Sequence, residues 1–144
     1  MTEAHAHEIA TLLNERNQLA RLYSAQWILK HADEYEYEVR EGRVVACVER
    51  KKVQWYQWEI WHLSVRKEWE GKGVAFAVYG RAEAAARSGG ACVLQCTIRE
   101  GNEASEKFFR RQSFNKVGAF LYGATGNTVG VWQKVLSSPE GGAA

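Results

Sequence analysis

The feature that most constrains the fold is residues 59–98, where a strand-like run, a glycine-bearing turn, an alanine-rich run and an apolar run follow one another. Residues 59–65 combine β-branched, aromatic and aliphatic side chains suited to a half-buried pleated surface. Gly71 and Gly73 bracket Lys72, and residues 74–87 continue in good helix formers, mostly Ala. Ser88, Gly89 and Gly90 end that helix at a C-cap. Residues 91–98 are nearly unbroken in their apolar character, as in a strand covered on both faces. Strand, helix and strand so spaced make a right-handed crossover, which predicts that 59–65 and 91–98 are parallel.

The turn carries chemistry as well as topology. A helix start leaves several backbone N–H groups unpaired and pointing outward. Together with the positive end of the helix dipole they suit phosphate oxygens, and glycine lets the ligand approach the backbone. Residues 71–76 therefore read as the seat of an anion such as a pyrophosphate. A strand–helix turn that needs glycine only for its dihedrals fits equally well. The turn lacks the Ser or Thr after Lys of a P-loop and the third glycine of a dinucleotide fingerprint.

The remaining chain falls into order around this unit. Residues 2–22 show helical spacing of Ile9, Leu12, Leu13, Leu19 and Leu22, and Ser24 is placed to cap a second helix to about His31. From Tyr35 the pattern alternates, Glu41 and Gly42 turn the chain, and a second strand follows, which predicts a hairpin. Asn102 opens a short helix to about Gln112, and 114–121 and 129–136 read as the last strands. We expect one domain over residues 1–136 and a disordered tail over 137–144. A net charge of +2 does not call for nucleic acid or an anionic membrane, and no window has the apolar length of a span. Cys47, Cys92 and Cys96 lie in strand-like runs and read as buried reduced thiols of a cytoplasmic protein, with no metal site expected.

Two motifs in this frame resemble those of the GNAT superfamily of N-acetyltransferases. The family's acyl-CoA motif, Gln/Arg-x-x-Gly-x-Gly/Ala, stands here as Glu70-Gly71-Lys72-Gly73-Val74-Ala75, with Glu in first place. Its second signature, Asn-x-x-Ala-x-x-Leu-Tyr-x-x-x-Gly-Phe, falls on residues 102–114 and keeps Asn102 and Phe114. Ser105, Phe108, Phe109 and Ser113 replace its Ala, Leu, Tyr and Gly. The resemblance covers residues 35–136. It implies an α/β sandwich: a mixed, twisted sheet with helices on both faces, the family's first strand missing, and a V-shaped opening between strands 59–65 and 91–98.

The resemblance further implies acetyl-CoA as cosubstrate. Its pyrophosphate would sit on Gly71, Lys72, Gly73, Val74, Ala75 and Phe76, its pantetheine arm would pair with Leu63, Ser64 and Val65, and Asn102 would complete its hydrogen bonds. Glu70 disfavours a nearby phosphate by like charge unless its carboxylate turns to solvent or pairs with Arg66 or Lys67.

The implied reaction is aminolysis of a thioester, which needs a base for the amine and gains from an acid for the thiolate. The resemblance makes Glu59 the candidate base, since it lies eleven residues before Glu70, where some family members carry a catalytic Glu on this strand. Trp58, Ile60 and Trp61 around it would partly desolvate the carboxylate and raise its pKa. An exposed strand carboxylate or an ion pair explains Glu59 equally well. His62 is a second candidate. At the family's tyrosine position Phe109 has no proton to give, which leaves Tyr122 or water as the acid.

The acceptor is an amine, small-molecule or peptide. Residues 55–61 offer aromatics for a pocket, or for sheet packing. The alternative function is an acyl-CoA-binding sensor or adaptor weakened in catalysis. A nucleic-acid module built on Lys51, Lys52, Trp55, Tyr56 and Trp58 is disfavoured by the charge balance. Exposed aromatics Phe120, Tyr122 and Trp132 on the last strands predict a homodimer.

Overall fold

The computed structural model describes residues 1–19 and 21–137, so all but Ser137 of the expected tail lies outside the described residues. The chain forms α1 (Glu3–Arg16), α2 (Ala25–Lys30), β1 (Tyr35–Arg40), β2 (Arg43–Lys52), β3 (Gln57–Val65), α3 (Val74–Ser88), β4 (Val93–Arg99), α4 (Glu103–Arg111), β5 (Asn115–Tyr122) and β6 (Asn127–Val135). The hydrogen-bonded strand order is β1-β2-β3-β4-β6-β5. Two compact units divide the chain: residues 1–51 with 60–85, and residues 52–59 with 86 onward.

In the first unit, Glu41 (φ 54°) and Gly42 (φ 74°) make the left-handed pair that a tight hairpin turn requires. That turn fixes an antiparallel β1–β2 register in which Tyr35 faces Glu49 and Tyr37 faces Cys47. Ala6, Ile9, Leu12 and Leu13 of α1 and Ile28 of α2 pack with Tyr35, Val44 and Cys47 in one core. Val44 and Cys47 are three apart yet share that core because the register shifts between Glu38 and Val39, and a bulge reverses the alternation. Glu36 and Glu38 alternate to the other side and pair with Arg81 of α3 at 3.7 and 3.0 Å. Helices therefore cover both faces of this part of the sheet.

The expected helix over 2–22 is shorter. It ends at Arg16, because the Asn17 side chain donates to the Leu13 carbonyl at 2.9 Å and the backbone there turns extended. Leu22, counted in the helical pattern, is 77% exposed. Ser24 caps α2 as predicted, accepting the Trp27 N–H.

In the second unit β3 and β4 are parallel, with Gln57, Trp58 and Glu59 opposite Val93, Leu94 and Gln95. The ladder ends at the Glu59–Gln95 pair. β4 continues antiparallel to β6 as far as Arg99 opposite Val129, and β6 pairs with the edge strand β5. Leu94, Cys96, Ile98, Phe109, Phe114 and Trp132 are buried, whereas all eight residues of β5 are exposed. Trp132 was expected at the surface with Phe120 and Tyr122. It is instead 1% exposed, on the core side of β6, with the Arg110 guanidinium 5.0 Å above its ring. All three cysteines are free and buried. Among the described residues no helix is long and apolar enough to cross a membrane, and no three His, Cys, Asp or Glu side chains gather as a metal would need.

Candidate active site

The glycine turn lies in the first unit. After β3 a single 3₁₀ turn (Lys67–Trp69) leads to Gly71 (φ 75°) and Gly73 (φ 82°), and α3 begins at Val74. The Gly73 carbonyl accepts the Ala77 N–H at 3.1 Å, so by helix geometry the amides of residues 73–76 lack intrahelical acceptors. Val74, 1% exposed, pins the helix start, while Gly71, Lys72, Gly73 and Phe76 are exposed and Ala75 is half-buried. A Cβ added at Gly71 or Gly73 meets nothing within 4 Å. The protein's own packing therefore leaves room at both; the backbone dihedrals are what demand glycine. An exposed backbone cradle of this kind fits the pyrophosphate of a coenzyme. Glu70 pairs with Arg16 of α1, not with Arg66 or Lys67, and that partner offsets the like-charge objection. Arg66 is held instead by Glu8 at 3.5 Å and the Val44 carbonyl at 2.8 Å.

Upstream, Leu63 and Val65 are half-buried, and Ser64 is buried. The Ser64 hydroxyl donates to the His62 carbonyl at 2.9 Å and accepts from Asn17 at 2.8 Å, so its side chain is committed inward. His62 has φ 52° in mid-strand, a conformation that costs a non-glycine residue about 1–3 kcal/mol. Its ring is held edge-on to Tyr23, with the Tyr23 hydroxyl 3.2 Å from Nδ1. Burial lowers the His62 pKa, which favours the neutral ring, and a neutral imidazole can accept a proton.

The same unit pairs a buried carboxyl with a half-buried one. Glu49, 2% exposed, accepts the Tyr35 hydroxyl at 3.1 Å. Burial first, and the neighbouring Glu34 second, push it up to about 8. Burial would raise Glu34 too, but its hydrogen bond with Glu49 and the Lys51 ammonium at 3.0 Å hold it below the usual range. The shared proton therefore sits on Glu49. Tyr23 is pushed up to about 12, by burial and then by the Glu49 charge.

Glu59, Asn102 and Tyr122 belong to the second unit. Glu59 is half-buried, the third residue of β3, and Trp58 and Ile60 alternate to the opposite face, so they do not form its immediate surroundings. On its own face the Gln95 amide donates through Nε2 to Glu59 Oε2 at 3.4 Å. Asn102 caps α4, its Oδ1 accepting the Ser105 N–H at 3.3 Å. Tyr122 closes β5, seven residues beyond Asn115, the position level with Gln133 and Gln95. At about 3.3 Å per residue that is about 23 Å along the strand. The structure thus separates Tyr122 from Glu59. Phe109 is 5% exposed and packs edge-on against Phe108 and Phe114, with centroids 5.2 and 5.1 Å away. It is a core side chain.

Sequence reasoning passed over several residues that shape these sites. Gln95 is a polar residue inside an otherwise apolar run, and Glu49 closes another; both were visible as interruptions. Arg16, Tyr23 and Gln133 gave no such sign, since only the fold brings them to their partners.

Residues 3–114 match the Acetyltransferase (GNAT) family, and the chain belongs to that family. Its six-stranded mixed sheet with helices is the fold of solved GNAT structures. Ard1 from Thermoplasma volcanium superposes with a TM-score of 0.81 at 14% identity, over 96% of this chain and 95% of that one. YncA from Salmonella typhimurium, solved with its cofactor acetyl-CoA, gives 0.81 at 16% identity over 96% and 92%. The ribosomal-protein-alanine N-acetyltransferase of Brucella melitensis gives 0.78 at 22% identity over 94% and 97%. No curated protein sequence matches the chain.

Proposed function

We propose that the protein transfers an acetyl group from acetyl-CoA to a primary amine by direct attack, with Glu59 as general base. The observation that carries this reading is the glycine turn: two left-handed glycines open α3 onto amides with no intrahelical acceptor. The coenzyme supplies an activated acetyl thioester. The amides of residues 71–76 hold its pyrophosphate, the backbone of Leu63 and Val65 pairs with the amides of its arm, and Asn102 adds a hydrogen bond. Ser64 takes no part through its side chain, which is used internally.

Glu59 takes the proton that an ammonium must lose before its nitrogen can attack, a service worth about 10²–10⁴-fold. His62, neutral and held by Tyr23, is the second candidate for that service. No acid is assigned beside Glu59, given the distance to Tyr122 and the burial of Phe109, so water protonates the departing thiolate. Among the fold's relatives, the Brucella enzyme is named for a ribosomal-protein alanine, and the NatC complex was solved with a Gag peptide and CoA. A peptide or small-molecule amine is therefore our acceptor class.

We place the protein in the cytoplasm, consistent with its free cysteines. Self-association through β5, where Phe120 and Tyr122 are exposed, belongs to the same proposal and is checked by light scattering. The second reading, an acyl-CoA sensor with little catalysis, is favoured by the core role of Phe109. Incubation with acetyl-CoA and a panel of amines, following free thiol, separates them: amine-dependent thiol release supports the transferase, and coenzyme binding without release supports the sensor.

A further inference from the structure

A row of polar side chains crosses the sheet of the second unit at one level. Glu59 of β3 faces Gln95 of β4, Gln95 faces Gln133 of β6, and Gln133 faces Asn115 of β5. Cross-strand partners project to the same side of a sheet, so the four side chains share a face. Leu94, Cys96 and Ile98, alternating with this row along β4, are buried on the other face. Gln133 Nε2 donates to Gln95 Oε1 at 2.8 Å, and Gln95 Nε2 donates to Glu59 Oε2 at 3.4 Å.

The direction of these bonds is informative. An ionised carboxylate can only accept, so Gln95 must turn its NH₂ toward Glu59. Its carbonyl oxygen then faces β6, where Gln133 must donate in turn. Both amides point their donors toward the carboxylate, and each bond polarises the next. Hydrogen bonds to the charged form favour that form. A protonated Glu59 could instead donate to the Gln95 oxygen, and this would ask both amides to reverse.

We propose that Gln95 and Gln133 are positioning residues for Glu59, a two-amide relay that holds its carboxylate in the orientation that takes a proton from an amine. The proposal rests on the reading of Glu59 as the base. Among titratable neighbours, Cys96 of β4 senses the Glu59 charge: burial, and then that charge, hold its thiol well above the usual range and therefore neutral.

The test reads Glu59 itself. Carboxyl ¹³C resonances of glutamate-labelled protein are titrated, with Glu59 assigned by its loss in Glu59→Gln. Gln95→Met and Gln133→Met keep side-chain volume and remove the amides. The Glu59 titration should move upward in Gln95→Met and, by less, in Gln133→Met. The acid limb of the kcat/KM profile should move with it. An unchanged Glu59 titration in both folded variants overturns the proposal. If Gln95→Met fails to fold, Gln95→Glu keeps the shape and places two carboxyls in the row, and the first of their proton losses should be followed by a clearly raised second. Titration of the two carboxyls independently of one another would again overturn the relay. If the protein shows no turnover, or Glu59→Gln turns over like wild type, the base assignment falls while the titration still decides the relay.

Discussion

Replacing Gly73 separates what its backbone needs from what an anion needs. At φ 82° with no atom within 4 Å of an added Cβ, Gly73→Ala meets no clash and loses only the left-handed preference. That costs about 1–2 kcal/mol, or roughly 2–8 °C in Tm for a chain of this size. Gly73→Asn costs less, because Asn tolerates this region better than other side chains. Gly73→Asp matches Asn in shape but adds a negative charge. For charges about 5 Å apart, an effective dielectric between about 80 and about 20 gives about 1–3 kcal/mol of repulsion per phosphate charge. Relative to Asn, the Asp variant should therefore bind CoA roughly 5- to 150-fold more weakly. Calorimetric titration with CoA at low and high salt, beside thermal melts, reads both quantities. The Asn–Asp gap should narrow at about 1 M salt, where screening acts over about 3 Å. Equal CoA affinity for Asn and Asp at low salt would refute a phosphate at this turn.

Glu59→Gln keeps the shape but cannot accept a proton, so turnover at pH 7 should fall by about 10²–10⁴-fold with CoA affinity little changed, and the defect should shrink as pH rises. Wild-type turnover across that range would move the role to His62 or water. Glu49, raised to about 8, keeps a proton when folded that the unfolded chain releases in the ordinary carboxylate range. Its contribution to stability is whole below that range and declines as pH rises toward 8, so Tm should fall over this window and fall less in Glu49→Gln. Parallel Tm curves for the two proteins would contradict the burial account. Phe109→Tyr places a hydroxyl at the family's tyrosine position but buries it in an aromatic cluster. Denaturant unfolding should show a loss of about 1–3 kcal/mol and assays no gain in turnover; a gain would return residue 109 to the chemistry.

The fold was legible wherever period and punctuation agreed. Glu41 and Gly42 announced the hairpin, Ser24 and Asn102 their helices, and the glycines at 71 and 73 the start of α3. The end of α1 was misread because Leu19 and Leu22 prolong the spacing, whereas a side-chain bond from Asn17 ends the helix. Trp132 was misread because alternation says which residues share a face but not which face is covered. The candidate site was legible only along the chain. Glu59 and its glycine turn stood in one stretch, but Gln95 lies 36 positions from Glu59 and Gln133 another 38 beyond. Such pairings are set by register, which no local pattern encodes. For the same reason Arg16, 54 positions from Glu70, was not among the partners expected for it.

Everything proposed for the reaction depends on a pyrophosphate seated on the amides of residues 71–76. A ¹⁵N amide spectrum of the protein titrated with CoA tests this directly. The account predicts saturable shifts that are largest at Gly71, Gly73, Val74, Ala75 and Phe76, and lost at those amides when pantetheine replaces CoA. Saturable binding that leaves those amides unmoved, or no binding at millimolar CoA, would contradict it.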